Sequence, residues 1–417
     1  MKFTLEHVKG EPVVELPDHT VVLTAEDKYP VQDTYIAIIK SLLQPLGYKR
    51  TLFDMGKECN KACVAVDTIL PPNTVDLVIR PLLKTLHAAG LAYEEICLLL
   101  AAEYPLNLPT TDASNLLAED IRQNYHIEFH HPENESLHQL AGETKSGTKV
   151  YLDKRFLSAD MKIAVGHAMP HFAAGFFDAT SLVALGTSNP MTINSLYSPS
   201  IVDHPNSQPG VYKGNPLQQE ILEIASLAEI NFIVNIVTNY RQDVSSIFSG
   251  AVKRTHQTSM KGMLDEYAFH IEQKFDVALA TVGYPYKENW YLNAQTLCNV
   301  KNALVEDGMI ILVTDGLKDL QKSGILNVET LDELKSILNR GRVLDNLLNK
   351  LTSHLSRTHV CFVSGFNHTI KTRQKIEPDL SFVSTVNEAI QLAVKQYGQD
   401  FKFAAIPEGL ASLYNLS

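Results

Sequence analysis

Along the chain, short unbroken apolar runs alternate with polar loops and longer stretches of helical period. "ACVAVD" (62–67) precedes "VDLVIRPLLKTLHAAG" (75–90), where Val, Leu and Ile recur at spacings of three and four before a closing Gly. "ICLLLAA" (96–102) precedes a helical stretch over 112–123, with Asp112 as its candidate N-cap. "MKIAVG" (161–166) leads into a loop poor in charge, and "INFIVNIV" (230–237) follows a helical 217–229. Unbroken apolar strands separated by helices predict a parallel sheet covered on both faces. A second series begins near residue 275 with "FDVALATVG", "MIILVTDG", "HVCFVSGF" and "LSFVS". The expected fold class is α/β: two α/β domains with mostly parallel sheets and an interdomain cleft. The boundaries expected are 1–270, which residues 402–417 could rejoin, and 271–401. The stretch 198–217, with four Pro and two Gly, reads as a long loop.

Composition narrows the partners. The 417 residues carry a net charge of −11 with no basic block, which argues against nucleic acid or an anionic membrane surface. The longest apolar runs are strand-sized, far short of the about twenty residues of a membrane span. The N-terminal "MKFTLEHVKGEPVVELP" has no apolar core of a secretory signal. Five cysteines, an odd number and partly inside apolar strands, fit reduced thiols in a cytoplasm. Cys59 and Cys63 are spaced CxxxC, but no second Cys or His pair lies nearby, so they read as ordinary thiols and no metal ligand is expected. A small-molecule ligand is the partner expected.

In such sheets ligands bind beyond the carboxyl ends of the strands. The residues there are Asp67, Glu103, His167 with His171, the loop 283–291 ("GYPYKENWY") and Asp315. Two carboxylates and two histidines at strand ends suit acid–base chemistry. The bland alternative makes Asp67 and Asp315 helix caps and His171 a packed residue. The spacing His167-x-x-x-His171 matches the zinc-protease pair, but Pro170 disfavours a helix there and no Glu follows His167. No phosphate-binding Gly-rich loop, dinucleotide fingerprint or nucleophile elbow is present.

The segments "PLGYKRTLFDMG", "VAVDTILPP", "LLLAAEYP", "GETKSGTKVYLDKRFLSADMKIAVGHAMPHFAAGF", "LGTSNPMTIN" and "VGYPYKENWY" occur in that order from about residue 36 to 316. Together they resemble the nickel-dependent lactate racemase family. The resemblance implies a racemase whose nickel sits in a pincer pyridinium mononucleotide and which moves a hydride off and onto the α-carbon of a 2-hydroxy acid. It maps one acid–base histidine onto His171 and cofactor- or substrate-binding positions onto Asp67, Gly283, Tyr284 and Pro285. Other positions differ. Leu70 stands at the family's arginine, Glu103 at its second histidine and Ser181 at the lysine that anchors the cofactor. Asp178 and Ala179 replace two glycines, Tyr197 replaces the nickel-ligand histidine, and Leu292 and Gln295 replace a Gln and a Lys.

A serine hydroxyl cannot form the covalent anchor that the lysine amine provides. Asp178 puts a negative charge where a phosphate is expected, and a phenol is a poorer nickel ligand than an imidazole at neutral pH. No cofactor is therefore expected, the nickel nucleotide being implied by resemblance alone. Two readings follow. One is a racemase or epimerase acting on an altered hydroxy compound, with Glu103 and His171 catalytic. The other is a non-catalytic binding or interaction protein on the same fold.

Overall fold

The computed structural model describes residues 1–5, 13–24, 30–103, 113–114, 116–239, 241–282, 289–314, 346, 350–351, 353–364 and 379–416. Two units emerge: Asp27–Glu266, and Met1–Glu26 together with Tyr267–Ser417. The first 26 residues thus fold with the C-terminal part. Their strands are β1 (Lys2–Thr4), β2 (Val13–Glu15) and β3 (Val21–Val22), the first two paired antiparallel.

The larger unit runs through α1 (Thr34–Leu43), α2 (Leu52–Gly56), β4 (Ala62–Asp67), α3 (Pro72–Ala88), β5 (Ile96–Ala101), α4 (Glu119–Asn124) and β6 (His126–Phe129). An antiparallel pair follows, β7 (His138–Glu143) and β8 (Lys149–Asp153), then α5 (Lys154–Leu157) and β9 (Met161–His167). The hairpin β10 (Met169–His171) and β11 (Gly175–Phe177) leads into α6 (Ala179–Gly186), α7 (Pro190–Leu196), α8 (Pro199–Val202) and α9 (Pro216–Leu227). β12 (Phe232–Thr238), β13 (Val244–Gly250) and α10 (Val252–Tyr267) close the unit.

Its main sheet has the order β13-β12-β9-β4-β5-β6, parallel except for the edge strand β13. β4, β9 and β12 are buried at every position, which explains why their sequences are unbroken apolar runs. One face packs Val64, Val66, Leu98 and Leu100 against Ile38 of α1 and Val78, Leu82 and Leu86 of α3. From β4 the chain builds outward to β5 and β6 on one side, and to β9 and β12 on the other. The order reverses between β4 and β9, and a crevice at the carboxyl ends of such a pair is where α/β sheets bind ligands.

In the other unit follow β14 (Ala268–Ile271), β15 (Phe275–Thr281), α11 (Trp290–Lys301), β16 (Leu304–Val313), β17 (His359–Val363), β18 (Asp379–Val383), α12 (Val386–Tyr397), β19 (Phe403–Ile406) and β20 (Leu413–Leu416). Its parallel sheet has the order β18-β17-β16-β15-β19-β3, and β14 pairs separately with β20. The expected boundary is corrected here: residues 402–417 stay with the C-terminal unit, and the chain's first 26 residues join it. Backbone pairing is the cause. β19 lies between β15 and β3, and Leu23 N–H donates to the Ala405 carbonyl at 2.8 Å. His19 adds a 2.7 Å contact from its Nε2 to the Phe401 carbonyl oxygen.

Candidate functional site

The carboxyl ends of β4 and β9 meet through Asp67. Its carboxylate accepts from Ile69 N–H at 3.0 Å and from His167 N–H at 3.1 Å, bridging the switch point of the sheet. Asp67 is fully buried, and that burial pushes its carboxyl up to about 7. The two N–H bonds pull it back, while the nearby Glu103 carboxyl pushes it further up. His167 places Nε2 2.9 Å from Thr238 Oγ1, at the end of β12, and its Nδ1 is buried without a partner. Burial lowers the ring to about 4, so it is neutral near pH 7.

Glu103 lies two residues past β5 and is also buried. The β10–β11 hairpin carries His171 to it, with His171 Nε2 2.9 Å from Glu103 Oε1. His171 Nδ1 accepts from the backbone N–H groups of Ala173 (3.2 Å) and Ala174 (2.8 Å). A nitrogen that accepts two N–H bonds carries no proton, so Nε2–H is the donor and the imidazole is neutral. Tyr197, just past α7, donates its hydroxyl to the same Glu103 oxygen. Phe172 and Phe177 flank the imidazole, with ring centroids 4.7 and 6.3 Å away. The hairpin that sets this geometry turns at Gly175 (φ +82°), where an added Cβ would lie 2.2 Å from the Val211 carbonyl oxygen.

A second buried network begins where the hairpin enters α6. Asp178 caps that helix, its Oδ1 accepting from Thr180 N–H (2.8 Å) and Ser181 N–H (3.1 Å). Its Oδ2 accepts from Asn235 Nδ2 at 2.9 Å and from His256 Nδ1 at 2.6 Å. On the far side of that ring stands Gln218. Oriented to satisfy both ends, its amide nitrogen donates to the Ala174 and Phe176 carbonyls at 2.7 and 3.2 Å, and its oxygen accepts from His256 Nε2 at 3.1 Å. His256 then donates from both nitrogens, the hydrogen-bonding pattern of an imidazolium facing the Asp178 carboxylate. Burial would raise the Asp178 carboxyl, but the His256 charge and the hydrogen bonds from His256, Ser181 and Asn235 outweigh it and hold it below the usual carboxylate range.

Residues 9–209 match the lactate racemase N-terminal domain. Two curated lactate racemases align over nearly the full length. That of Thermoanaerobacterium thermosaccharolyticum is 22% identical over 422 residues, covering 97% of this chain and 96% of its own. That of Lactiplantibacillus plantarum is 23% identical over 395 residues, covering 93% and 92%. The chain belongs to the lactate racemase family. Its fold agrees with the lactate racemase apoprotein structure from T. thermosaccharolyticum at a TM-score of 0.84, with 19% identity and all of both chains covered. A Thermotoga maritima protein superposes at 0.65, with 14% identity, over 95% of this chain and 100% of its own.

The nickel nucleotide that the resemblance implies does not fit the residues present. The N-terminus of α6, a natural seat for a phosphate, is filled by the chain's own Asp178 carboxylate. Ala179 packs onto β9 so closely that a Cβ on Gly166 would lie 2.5 Å from the Ala179 nitrogen. Ser181 is fully buried, with its Oγ unpartnered and no amine to offer. Tyr197 spends its hydroxyl on Glu103, and Leu70 belongs to the apolar core. Among the described residues no group of three or more His, Cys, Asp or Glu side chains could hold a metal ion.

The expected residues divide as follows. Glu103, His171 and Tyr197 touch, Asp67 lies within electrostatic reach of Glu103, and the Ser181 N–H is held by Asp178. Gln295 is buried in α11 of the other unit. Gly283, Tyr284, Pro285 and Asp315, with the expected cap Asp112, lie outside the described residues. His256, Asn235 and Gln218 carry no recognisable sequence signal: the first two are brought to Asp178 from 78 and 57 positions away, and Gln218 to His256 from 38.

Proposed function

We propose that this lactate racemase family chain does not run the nickel-nucleotide hydride reaction, and that its strand-end site is a self-satisfied polar core on a fold retained for binding a small molecule. The observation that carries this reading is the Asp178 carboxylate. It occupies the α6 N-terminus, held from behind by His256, so an incoming phosphate would find those N–H groups already bound to a carboxylate. His171 supports it, because one ring nitrogen is spent on Glu103 and the other on backbone N–H groups, leaving no base aimed at a substrate. The same proposal keeps the chain in a reducing cytoplasm, which its five unpaired cysteines suit; no described helix is long and apolar enough to cross a membrane.

The test is turnover. Protein made in cells that also make the nickel nucleotide is incubated in D2O with both lactate enantiomers and a panel of 2-hydroxy and sugar acids. Chiral chromatography and proton NMR are expected to show no racemisation and no exchange at the α-carbon.

The second reading is an acid–base racemase or epimerase on an altered hydroxy compound. It is favoured by the direct Glu103–His171 contact beside Asp67, whose carboxyl is raised to about 7. For the pair to act, His171 must release Nδ1 from the Ala173 and Ala174 N–H groups. Turnover on any panel member, abolished by both Glu103→Gln and His171→Ala, would establish this reading and sink the first.

A further inference from the structure

β4 and β5 run side by side, and their register sets Cys63 opposite Cys97. Alternate residues Val64, Val66, Leu98 and Leu100 face the core formed with α1 and α3, so the two cysteines leave the sheet on the other face. Neighbouring strands lie about 4.8 Å apart, which is inside the roughly 4.4–6.8 Å between Cα atoms that a disulfide spans. Cys97 is partly exposed and Cys63 buried, so a solvent-borne reagent reaches Cys97 first.

The surroundings make the two sulfurs unequal. A hydrogen bond from the Cys63 thiol pulls Cys97 below the usual thiol range; burial opposes this, and the Arg155 guanidinium adds to it. The Glu128 and Asp153 carboxylates push Cys97 the other way. Arg155 is fixed on this side of the sheet by Asp153 (2.8 Å from Nε) and Glu128 (2.6 Å from Nη1). Cys63 is pushed up by the same thiol–thiol contact and by burial.

We propose that Cys97 and Cys63 form a reversible, peroxide-sensitive dithiol that closes into a disulfide between β4 and β5. The Cys97 thiolate attacks one oxygen of hydrogen peroxide, breaking the O–O bond; the leaving hydroxide takes a proton and departs as water. Cys63, giving up its proton, then attacks the Cys97 sulfenic sulfur, forming the S–S bond and expelling the second oxygen as water. Two thiols lose two electrons in all, and one peroxide is reduced to two waters. A small-molecule thiol reverses the step by attack on either sulfur of the bridge. The bridge ties together the two strands that end at Asp67 and just before Glu103. This inference stands whether or not the site turns over a substrate.

The experiment treats the reduced, folded protein with a small excess of hydrogen peroxide, alkylates it in denaturant and maps peptides by mass. The expected result is loss of two of the five alkylatable thiols, a mass lower by two hydrogens, one cross-linked peptide joining Cys63 to Cys97, and full recovery with dithiothreitol. Cys63→Ser should stop at a Cys97 sulfenic acid trapped by dimedone, and Cys97→Ser should keep its remaining thiols. Peptide mapping of the wild type decides the matter even if a variant folds poorly. Thiols 63 and 97 that stay alkylatable, bridges only between chains, or thiol loss unchanged in Cys97→Ser would each overturn the proposal.

Discussion

Asp178→Ala removes four hydrogen bonds and one partner of a buried charged pair in a single step. Losing an N-cap acceptor costs about 1 kcal/mol. Stripping one partner from a buried ion pair costs about 3–5 kcal/mol, because the other charge is left uncompensated. The two terms share one carboxylate and do not add fully, so the expected loss is about 4 kcal/mol. For a unit of about 240 residues this corresponds to a fall in Tm of roughly 10 °C. His256→Ala should cost a similar amount by stranding the carboxylate. The double variant should cost clearly less than the two losses together, giving a coupling of at least about 2 kcal/mol. The sign with pH follows from the depressed Asp178 carboxyl. Its contribution is fully present above the unfolded carboxyl value of about 3.9 and is lost only as pH falls through the lower folded value. The Asp178→Ala penalty should therefore be full at pH 7 and shrink only in strong acid. Urea unfolding of the four proteins followed by circular dichroism is the assay. An Asp178→Ala loss below about 1 kcal/mol, or a coupling near zero, would refute the charged-pair reasoning.

Three further outcomes follow. Asp67, raised to about 7, is protonated when folded at mildly acid pH, so its contribution falls as pH rises from about 4 to 7, by up to about 4 kcal/mol; carboxyl carbon NMR should give a midpoint near 7, and a midpoint near 4 would contradict the burial argument. His167, lowered to about 4, works in the opposite direction: stability is full above the unfolded value of about 6.5 and declines on acidification towards 4, by up to about 3 kcal/mol. That acid-side slope should flatten in His167→Gln. At Glu103, a Gln keeps an oxygen for the Tyr197 and His171 donors and should be tolerated, whereas Glu103→Leu strands two buried donors at about 1–3 kcal/mol each. Equal melting temperatures for the two Glu103 variants would mean that the shared oxygen does not hold the hairpin.

The central strands β4, β9 and β12 were legible because each is buried at every position. An unbroken run such as "FIVNIV" has no other soluble reading beside a helix of the right period. Helix limits were close for α3 (Pro72–Ala88) and α9 (Pro216–Leu227), but α4 (Glu119–Asn124) begins well inside the expected 112–123. Pro170 was read correctly as breaking the helical spacing of the two histidines, which lie on β9 and in the β10–β11 hairpin. The unit boundary was not legible. β3 has two residues, too few for any period, and only its pairing with β19 assigns the chain's start to the other unit. The Asp178–His256 pair was not legible either, because a buried histidine on α10 looks like any polar residue of a mixed helix until the fold brings it to its carboxylate. The resemblance put Asp178 and Tyr197 among the candidate positions, but that the first caps a helix and the second donates to Glu103 needed coordinates.

The proposed function rests on the α6 N-terminus being filled by the chain's own Asp178 carboxylate, which would exclude the cofactor that the resemblance implies. The most direct measurement is the intact mass, with nickel content, of protein purified from cells that also make the nickel nucleotide. The account predicts the unmodified chain of 46.4 kDa and no stoichiometric nickel. A nucleotide adduct on any lysine, with nickel bound one to one, would contradict it.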